Sequence, residues 1–432
     1  MPNPSGNNQW GAKSYPDDED LRSALMECAR QSLSVSDTLT YLRKKLDFDI
    51  KKSTLMTLKN RLDIPSVRKP RVSDEALDNA AKDLIIKDVS QGNGPNAIKA
   101  MLRVEYIMIP RDRIRALFRS IAPEGAEKRA PGYKHTQIYR VPLMAYGPFH
   151  EISADGHEKL NAQALRMGDI NFPIYAYRDK WSGYLLKIAV LPNTRTAAAI
   201  GHLYLDLVSE YGGIPIQVTT DKGSEIGWQA TIQEAFRILC APGISLDEYP
   251  SCVALKSVHN TVIESLWRWF ESKTGHNLKA LILRGMKDHI FHPHRSNHTD
   301  LFYWIFVPLI QGELDKFQLY WNYHRIRAQE DKLMPSNHIP AVLFSNPEKH
   351  NGTNLNCLIK VNSELVENAR KELEDEVGPR DEHLKSWLHR GFRRQGKGML
   401  WLCYGSIGSP ALSIDTAWDV FQRMSAALNH AD

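Results

Sequence analysis

The sequence has no cysteine pair of the C-x-x-C kind: Cys28, Cys240, Cys252, Cys357 and Cys403 are scattered over 432 residues. That spacing offers neither a zinc knuckle nor a dense disulfide framework, so reduced thiols in a reducing compartment are expected. Also missing is any uninterrupted apolar run of membrane-spanning length, and the chain opens on Met-Pro-Asn-Pro-Ser-Gly-Asn-Asn rather than on basic residues followed by an apolar stretch. A membrane protein and a secreted precursor are thereby disfavoured, and a soluble intracellular chain is expected. Charge of one sign is scarce too: 55 Lys and Arg against 50 Asp and Glu leave only +5. So mild a total does not identify a nucleic-acid partner. With 42% hydrophobic and 24% charged residues, the composition is that of ordinary globular material, long enough for two or three domains.

Charge is informative in its distribution. Between Lys99 and Arg140 stand ten Lys or Arg and four acids, a local net of +6, the best phosphate-facing stretch of the chain. Residues 1–124 read as helical throughout. Asp20 to Leu33 is amphipathic, Ser36 can cap a helix running to Leu46, and Lys52-Ser53-Thr54-Leu55 opens another that Pro65 stops. A second trio follows: Ser73 to Val89, Asn96 to Val104, and a basic helix from Pro110 to Ser120. The pattern suits two helix-turn-helix units. Thr54, Thr57, Lys59 and Asn60 in the first, and Arg111, Arg113 and Arg115 in the second, are then the DNA-contact candidates. A plain helical bundle with a solvated basic face is the alternative. Residues 125–148 read as a linker.

From residue 149 the pattern changes to strands. Phe149 to Gly156 is a strand with Asp155 at its end. Pro173–Tyr177 and Tyr184–Val190, separated by Asp179-Lys180-Trp181-Ser182-Gly183, complete an antiparallel meander. Thr194 to Tyr211 is an amphipathic helix stopped by Gly212-Gly213, the strand Ile216–Thr220 delivers Asp221, and Ser257 to Ser272 is a helix holding Glu264. That order predicts an α/β RNase H-like core, a mixed sheet flanked by helices. Asp155, Asp221 and Glu264 converge in such a core. Three carboxylates gathered from distant sequence repel one another unless cations are bound, and hard oxygen ligands suit Mg²⁺ or Mn²⁺. Each residue alone has an ordinary structural role, as a turn, cap or helix-dipole group; the ordered triplet favours metal binding.

Three stretches resemble the DDE-type integrases and transposases with a retroviral-integrase core, and within them the integrase-core proteins of fungal and animal genomes. They are Ser153-Ala154-Asp155-Gly156-His157-Glu158-Lys159-Leu160, Thr220-Asp221-Lys222-Gly223-Ser224-Glu225, and Ser257-Val258-His259-Asn260-Thr261-Val262-Ile263-Glu264-Ser265-Leu266-Trp267-Arg268. They lie 65 and 42 residues apart, counted between the acidic residues. The resemblance covers about residues 149–340. It implies that Asp155, Asp221 and Glu264 are catalytic and hold two Mg²⁺ or Mn²⁺ ions. It also implies that Asn260 and Arg268, one helical turn either side of Glu264, lie beside the scissile phosphate. Lys159 and Lys222 would neutralise DNA phosphate. The partners implied are double-stranded DNA, as element ends and target, and further copies of the chain, in the nucleus if the source is eukaryotic and otherwise in the cytoplasm. The retroviral zinc-binding His/Cys module has no counterpart here. Rival readings are an RNase H-fold nuclease without a joining step and a host-retained DNA-binding protein that no longer cuts.

Downstream signals are weaker. His289, His292, His294 and His298 read as a solvated loop. The aromatics of Asp300–Tyr323 recur at helical spacing and predict a helical hairpin packed on the core, within a domain spanning 149–345. Trp321-Asn322-Tyr323-His324-Arg325-Ile326-Arg327 resembles the end of such a core, which makes Arg325 and Arg327 DNA-contact candidates. Residues 346–432 read as a C-terminal subdomain of unknown role: an acidic helix over 362–376, then a basic, aromatic stretch at 387–398.

Overall fold

The structure is a computed structural model that describes residues 15–70, 72–89, 91–123, 144–221, 223–255, 260–329, 334–349, 355–388 and 390–429, with the side chains of 296, 390–397 and 429 excepted. Packing divides the chain into two units, Met1–Leu84 with Pro95–Ile121, and Ile85–Gly94 with Ala122–Asp432.

The first unit is built from α1 (Asp18–Arg30), α2 (Val35–Leu46), α3 (Lys52–Arg61), α4 (Asp74–Lys87), α5 (Pro95–Val104) and α6 (Arg111–Ile121). Asp17 caps α1 by accepting the Glu19 N–H, and three acids in the first turn suit the positive end of the helix dipole. The cap of α2 is Ser34 and not Ser36. Ser34 is extended and its Oγ accepts the Asp37 N–H at 3.2 Å, which leaves Ser36 inside the first turn. Leu21, Leu25, Leu42, Phe48, Leu55 and Leu58 close a small core among α1–α3.

The second unit holds a five-stranded sheet. Its strands β1 (Glu151–His157), β2 (Ile174–Asp179) and β3 (Leu185–Val190) form the expected antiparallel meander. After β3 the chain runs through α7 (Ala197–Tyr211), the two-residue β4 (Gly213–Ile214), β5 (Gln217–Asp221), α8 (Gly227–Cys240) and β6 (Cys252–Leu255). β5 lies parallel to β1, and β6 parallel to β5, giving the order β3-β2-β1-β5-β6. This is the RNase H-like arrangement. β1 starts two residues later than expected because Phe149 adopts φ +61°. Its N–H is held there by the Asp179 carboxylate at 2.8 Å.

Beyond the sheet come α9 (Thr261–Phe270), a π-helical turn (Glu271–Gly275), α10 (His276–Lys287) and α11 (Ser296–Tyr323). The expected hairpin over 300–323 is a single 28-residue helix that carries Pro308 in its interior. Its apolar stripe keeps one phase on both sides of the proline: Leu301, Phe302, Ile305 and Phe306 are as buried as Phe317, Tyr320 and Trp321. Spaced seven and four apart, Gln311, Gln318 and Asn322 run along the outer edge of β3. Gln311 accepts the Val190 N–H and donates to Ile188 O, Gln318 donates to the carbonyls of Leu185 and Leu186, and Asn322 both accepts from and donates to Leu185. His298 is no loop residue either: it is buried on α11, where its ring meets the His292 N–H and Ser425 Oγ. His289, His292 and His294 are exposed.

The expected boundary at 345/346 coincides with no break in packing. β7 (Ile359–Lys360) pairs with β4, and α12 (Ser363–Val377) packs on α7. Ile359, Val361, Val366, Leu373 and Leu384 lie in one core with Ile152, Ala154, Leu203, Leu207 and Val218. Asp206 of α7 binds Arg380 in two-pronged fashion and Arg370 at 3.1 Å, partly buried contacts that clasp this segment to the sheet layer. Two further helices follow, α13 (Arg390–Ser406) and α14 (Ala417–Asn429).

Candidate active site

β1 and β5 carry the two aspartates to the same level. The parallel register pairs Glu151 with Gln217, Ile152 with Val218 and Ser153 with Thr219. Continued two steps, it sets Asp155 against Asp221, on one face of the sheet. The β1–β5 ladder ends before reaching them, while Asp155 stays paired with Ala176 of β2 and Asp221 with Leu255 of β6; β1 itself runs on to His157, past the expected end. Glu264 comes from α9, whose attachment depends on a residue that sequence reasoning passed over. Arg178 of β2 points into the protein, donates to Val262 O and to Ser265 Oγ at 2.7 Å, and lies over the Trp321 ring at 4.8 Å. A guanidinium placed there ties the Glu264 helix to the sheet.

Asp155 feels the charges of the other two acids. Burial first, then the Asp221 charge and to a smaller extent that of Glu264, push the Asp155 carboxyl up to about 7; hydrogen bonds from Trp267 and the Gly156 N–H oppose the rise. The neighbouring Tyr175 hydroxyl is held well above its ordinary value by burial, then by Asp155, Glu225 and Asp221. Glu225 is therefore a fourth acid near the site, within the stretch that follows Asp221 but without an assigned role in the sequence reading.

Two side chains of α9 grip β1. Asn260 Nδ2 donates to Ala154 O at 3.3 Å, and Trp267 Nε1 donates to Asp155 Oδ2 at 2.9 Å. Trp267 stacks on His157 with ring centroids 4.7 Å apart. Burial and the nearby Lys159 hold His157 down to about 4, so its ring is neutral near pH 7. Asn260 was expected beside the substrate, yet it is buried and its amide is spent on β1; its Oδ1 has no hydrogen-bond partner.

The remaining candidates are dispersed. Arg268 is exposed one turn beyond Glu264. Lys159 is paired with Glu271 at 2.5 Å, and Lys222 lies outside the described residues. Arg325 is exposed and donates to Asn337 O at 2.7 Å; Arg327 is exposed. In the helical unit Arg111 is exposed and Arg115 pairs with Asp112 within its own helix, whereas Arg113 is bound to Asp78 and Asp74 at 2.6 and 2.7 Å. Arg113 thus serves the packing of α6 on α4. Part of the basic stretch from Lys99 to Arg140 lies outside the described residues.

A cavity of about 450 Å³ is lined by His157, Lys159, Gln163, Phe270, His276 and Lys279 among others, and by none of the three acids. The larger one, about 610 Å³, lies against β3, α11 and residues 380–388, and none of the three acids lines it. Among the described residues no three His, Cys, Asp or Glu form a ready-made metal shell. The donor set nonetheless fits a hard divalent cation. Its oxygens are carboxylates, and their mutual repulsion, read in the raised Asp155, is what a cation would relieve.

A mixed five-stranded sheet in this order, with acids on β1, β5 and α9, is an RNase H-like core. In sequence, residues 166–351 match the family model of the integrase core domain. The matched stretch contains Asp221 and Glu264 and begins after Asp155. No curated protein matches the chain. Among solved structures, it is similar to the simian T-cell lymphotropic virus intasome in complex with PP2A regulatory subunit B56 gamma, at 12% identity and TM-score 0.26, over 61% of this chain and 74% of that one. It is also similar to the Mos1 strand transfer complex, at 10% identity and TM-score 0.16, over 64% and 95% of the two chains. The Mos1 transposase paired-end complex with the left transposon end stands at 10% identity and TM-score 0.14, over 64% and 96%. No described helix is long and apolar enough to cross a membrane.

Proposed function

We propose that the protein is a metal-dependent DNA integrase or transposase that cuts DNA strands and joins them to target DNA, with Asp155, Asp221 and Glu264 as its catalytic carboxylates. The observation that carries this reading is the register that levels Asp155 with Asp221, together with the Glu264 charge felt at Asp155. The three would hold Mg²⁺ or Mn²⁺, in the number of two. Bound there, the ions supply an activated water or 3′-hydroxyl oxygen and stabilise the departing oxygen. The chain's own residues orient and hold: Trp267 and the Gly156 N–H fix the Asp155 carboxylate, and Arg178 keeps the Glu264 helix on the sheet. Exposed Arg268, one turn beyond Glu264, and Lys159, four residues beyond Asp155, would favour the phosphate backbone.

In the same reading the helical unit, as two helix-turn-helix copies, recognises element ends, with Arg111 and Arg115 as phosphate contacts, and several copies assemble on DNA. A nuclear location belongs to it if the source is eukaryotic. The test is Glu264→Gln, which keeps shape and hydrogen bonding but removes the charge. Mn²⁺-dependent nicking and strand transfer on duplex ends disappear while DNA affinity stays nearly unchanged. A wild-type protein that binds duplex ends tightly yet neither nicks nor joins with either metal would make the DNA-binding module the better account.

A further inference from the structure

Trp267 lies three residues after Glu264 on α9 and is buried. A buried indole N–H needs an acceptor, and a backbone carbonyl would serve. This one is given instead to Asp155 Oδ2 at 2.9 Å, while Oδ1 receives the Gly156 N–H at 2.7 Å. A carboxylate offers about four lone-pair positions. The two donors occupy one on each oxygen, so the plane of the group is set and each oxygen keeps a position for another ligand. The indole cannot easily turn away, since it is stacked on His157 at an interplanar angle of 18° and meets Phe270 edge-on at 6.2 Å. Asn260, at the start of the same helix, holds the preceding residue of β1 through Ala154 O. One helix therefore supplies Glu264 and also orients Asp155.

We infer that Trp267 is a positioning residue of the carboxylate centre: its indole N–H fixes Asp155, so that cation affinity depends on a side chain that touches neither cation nor DNA. The inference rests on reading Asp155, Asp221 and Glu264 as a cation site. Partners of this kind, standing behind metal ligands, typically change metal affinity by about 10–100-fold when removed.

The test is Mn²⁺ titration of the full chain followed by electron paramagnetic resonance, without DNA. Trp267→Phe keeps a ring for the stack and loses only the N–H donor. It is expected to weaken Mn²⁺ binding by about 10-fold or more while metal-free melting stays close to wild type. Phe270→Leu, which disturbs the same aromatic group without touching Asp155, lowers melting and leaves Mn²⁺ affinity unchanged. In an Asp155→Ala background, which removes the acceptor, Trp267→Phe adds no further loss. Affinity within about twofold of wild type in Trp267→Phe overturns the inference, as do equal losses in Trp267→Phe and Phe270→Leu or an additive loss in the Asp155→Ala background. Should Trp267→Phe fail to fold, benzothienylalanine incorporated at position 267, which keeps the bicyclic ring and lacks the N–H, decides on the same affinity criterion. A wild-type chain that takes up no Mn²⁺ defeats the reading of the centre and this inference with it. A wild type that binds, beside a Trp267→Phe that binds equally, defeats this inference alone.

Discussion

Asp155→Asn is expected to stabilise the metal-free protein above neutral pH, a consequence of the acid's surroundings. In the folded chain its carboxyl is pushed from an ordinary 3.8 up to about 7. A group whose affinity for protons rises on folding contributes stability that is complete below the unfolded value and is lost as pH climbs through the folded one. Wild type in EDTA should therefore lose stability between about pH 4 and pH 8 through this group. At about 1.4 kcal/mol per tenfold in proton affinity, the upper bound is ~4 kcal/mol. Asp155 is partly open to water, which screens Asp221 and Glu264, and a realised effect of ~1–2 kcal/mol follows. Asparagine keeps one oxygen for the Trp267 N–H, gives up the Gly156 N–H contact at a cost that does not vary with pH, and has no charge to lose. The assay is urea denaturation in EDTA across that pH range, for both proteins. The variant should gain on wild type as pH rises, and saturating Mg²⁺ should reverse the order at pH 8 by stabilising wild type alone. Parallel pH profiles, or a variant that loses ground as pH rises, would refute the reasoning.

Three further outcomes can be checked directly. Arg178→Ala should cost ~1–3 kcal/mol in chemical denaturation, since it removes the link from β2 to α9 and the guanidinium packed on Trp321 while the Ser265 hydroxyl keeps its bond to Val262 O, and Arg178→Lys should recover only part because one ammonium cannot reproduce the guanidinium fork. Gly285→Ala should destabilise by at least ~1–3 kcal/mol, because the new methyl would meet the Trp418 ring, which is buried and held by its N–H to Leu281 O; a melting temperature equal to wild type would show that the ring can move. Residues 1–140 as a fragment should bind duplex DNA with an affinity that falls steeply with salt, and affinity indifferent to salt in a filter-binding titration would remove the electrostatic role.

Periodicity carried the meander, the long helix before β5 and the six N-terminal helices, because each shows its own hydrophobic period locally. It did not carry α8 and β6. β6 is a four-residue edge strand without a fully buried residue, so it lacks the alternation that marks a strand. The union of residues 359–384 with the sheet was also out of reach: it depends on Asp206 meeting Arg370 and Arg380 from more than 160 positions away. At the site, the carboxylates were legible as a motif because chemistry restricts their residue type and spacing. Their supports were not. Nothing about an arginine within a strand, or a tryptophan one turn past an acid, announces a buried partner, although a charged residue at a position whose neighbours Tyr177 and Asp179 turn out buried was a signal available in hindsight. Arg113 illustrates the reverse error: basic composition suggested a solvent-facing contact where two aspartates of α4 claim the guanidinium.

The outer margin of β3 has an implication for how this chain keeps company with itself. Gln311, Gln318 and Asn322 imitate a sixth strand with primary amides, so the sheet has no bare rim there onto which a strange polypeptide could graft. A genuine strand would present the same groups through its main chain, beyond the reach of point mutation. Here the seal is made of three side chains, so a substitution at any one of them would leave main-chain groups of β3 without that partner.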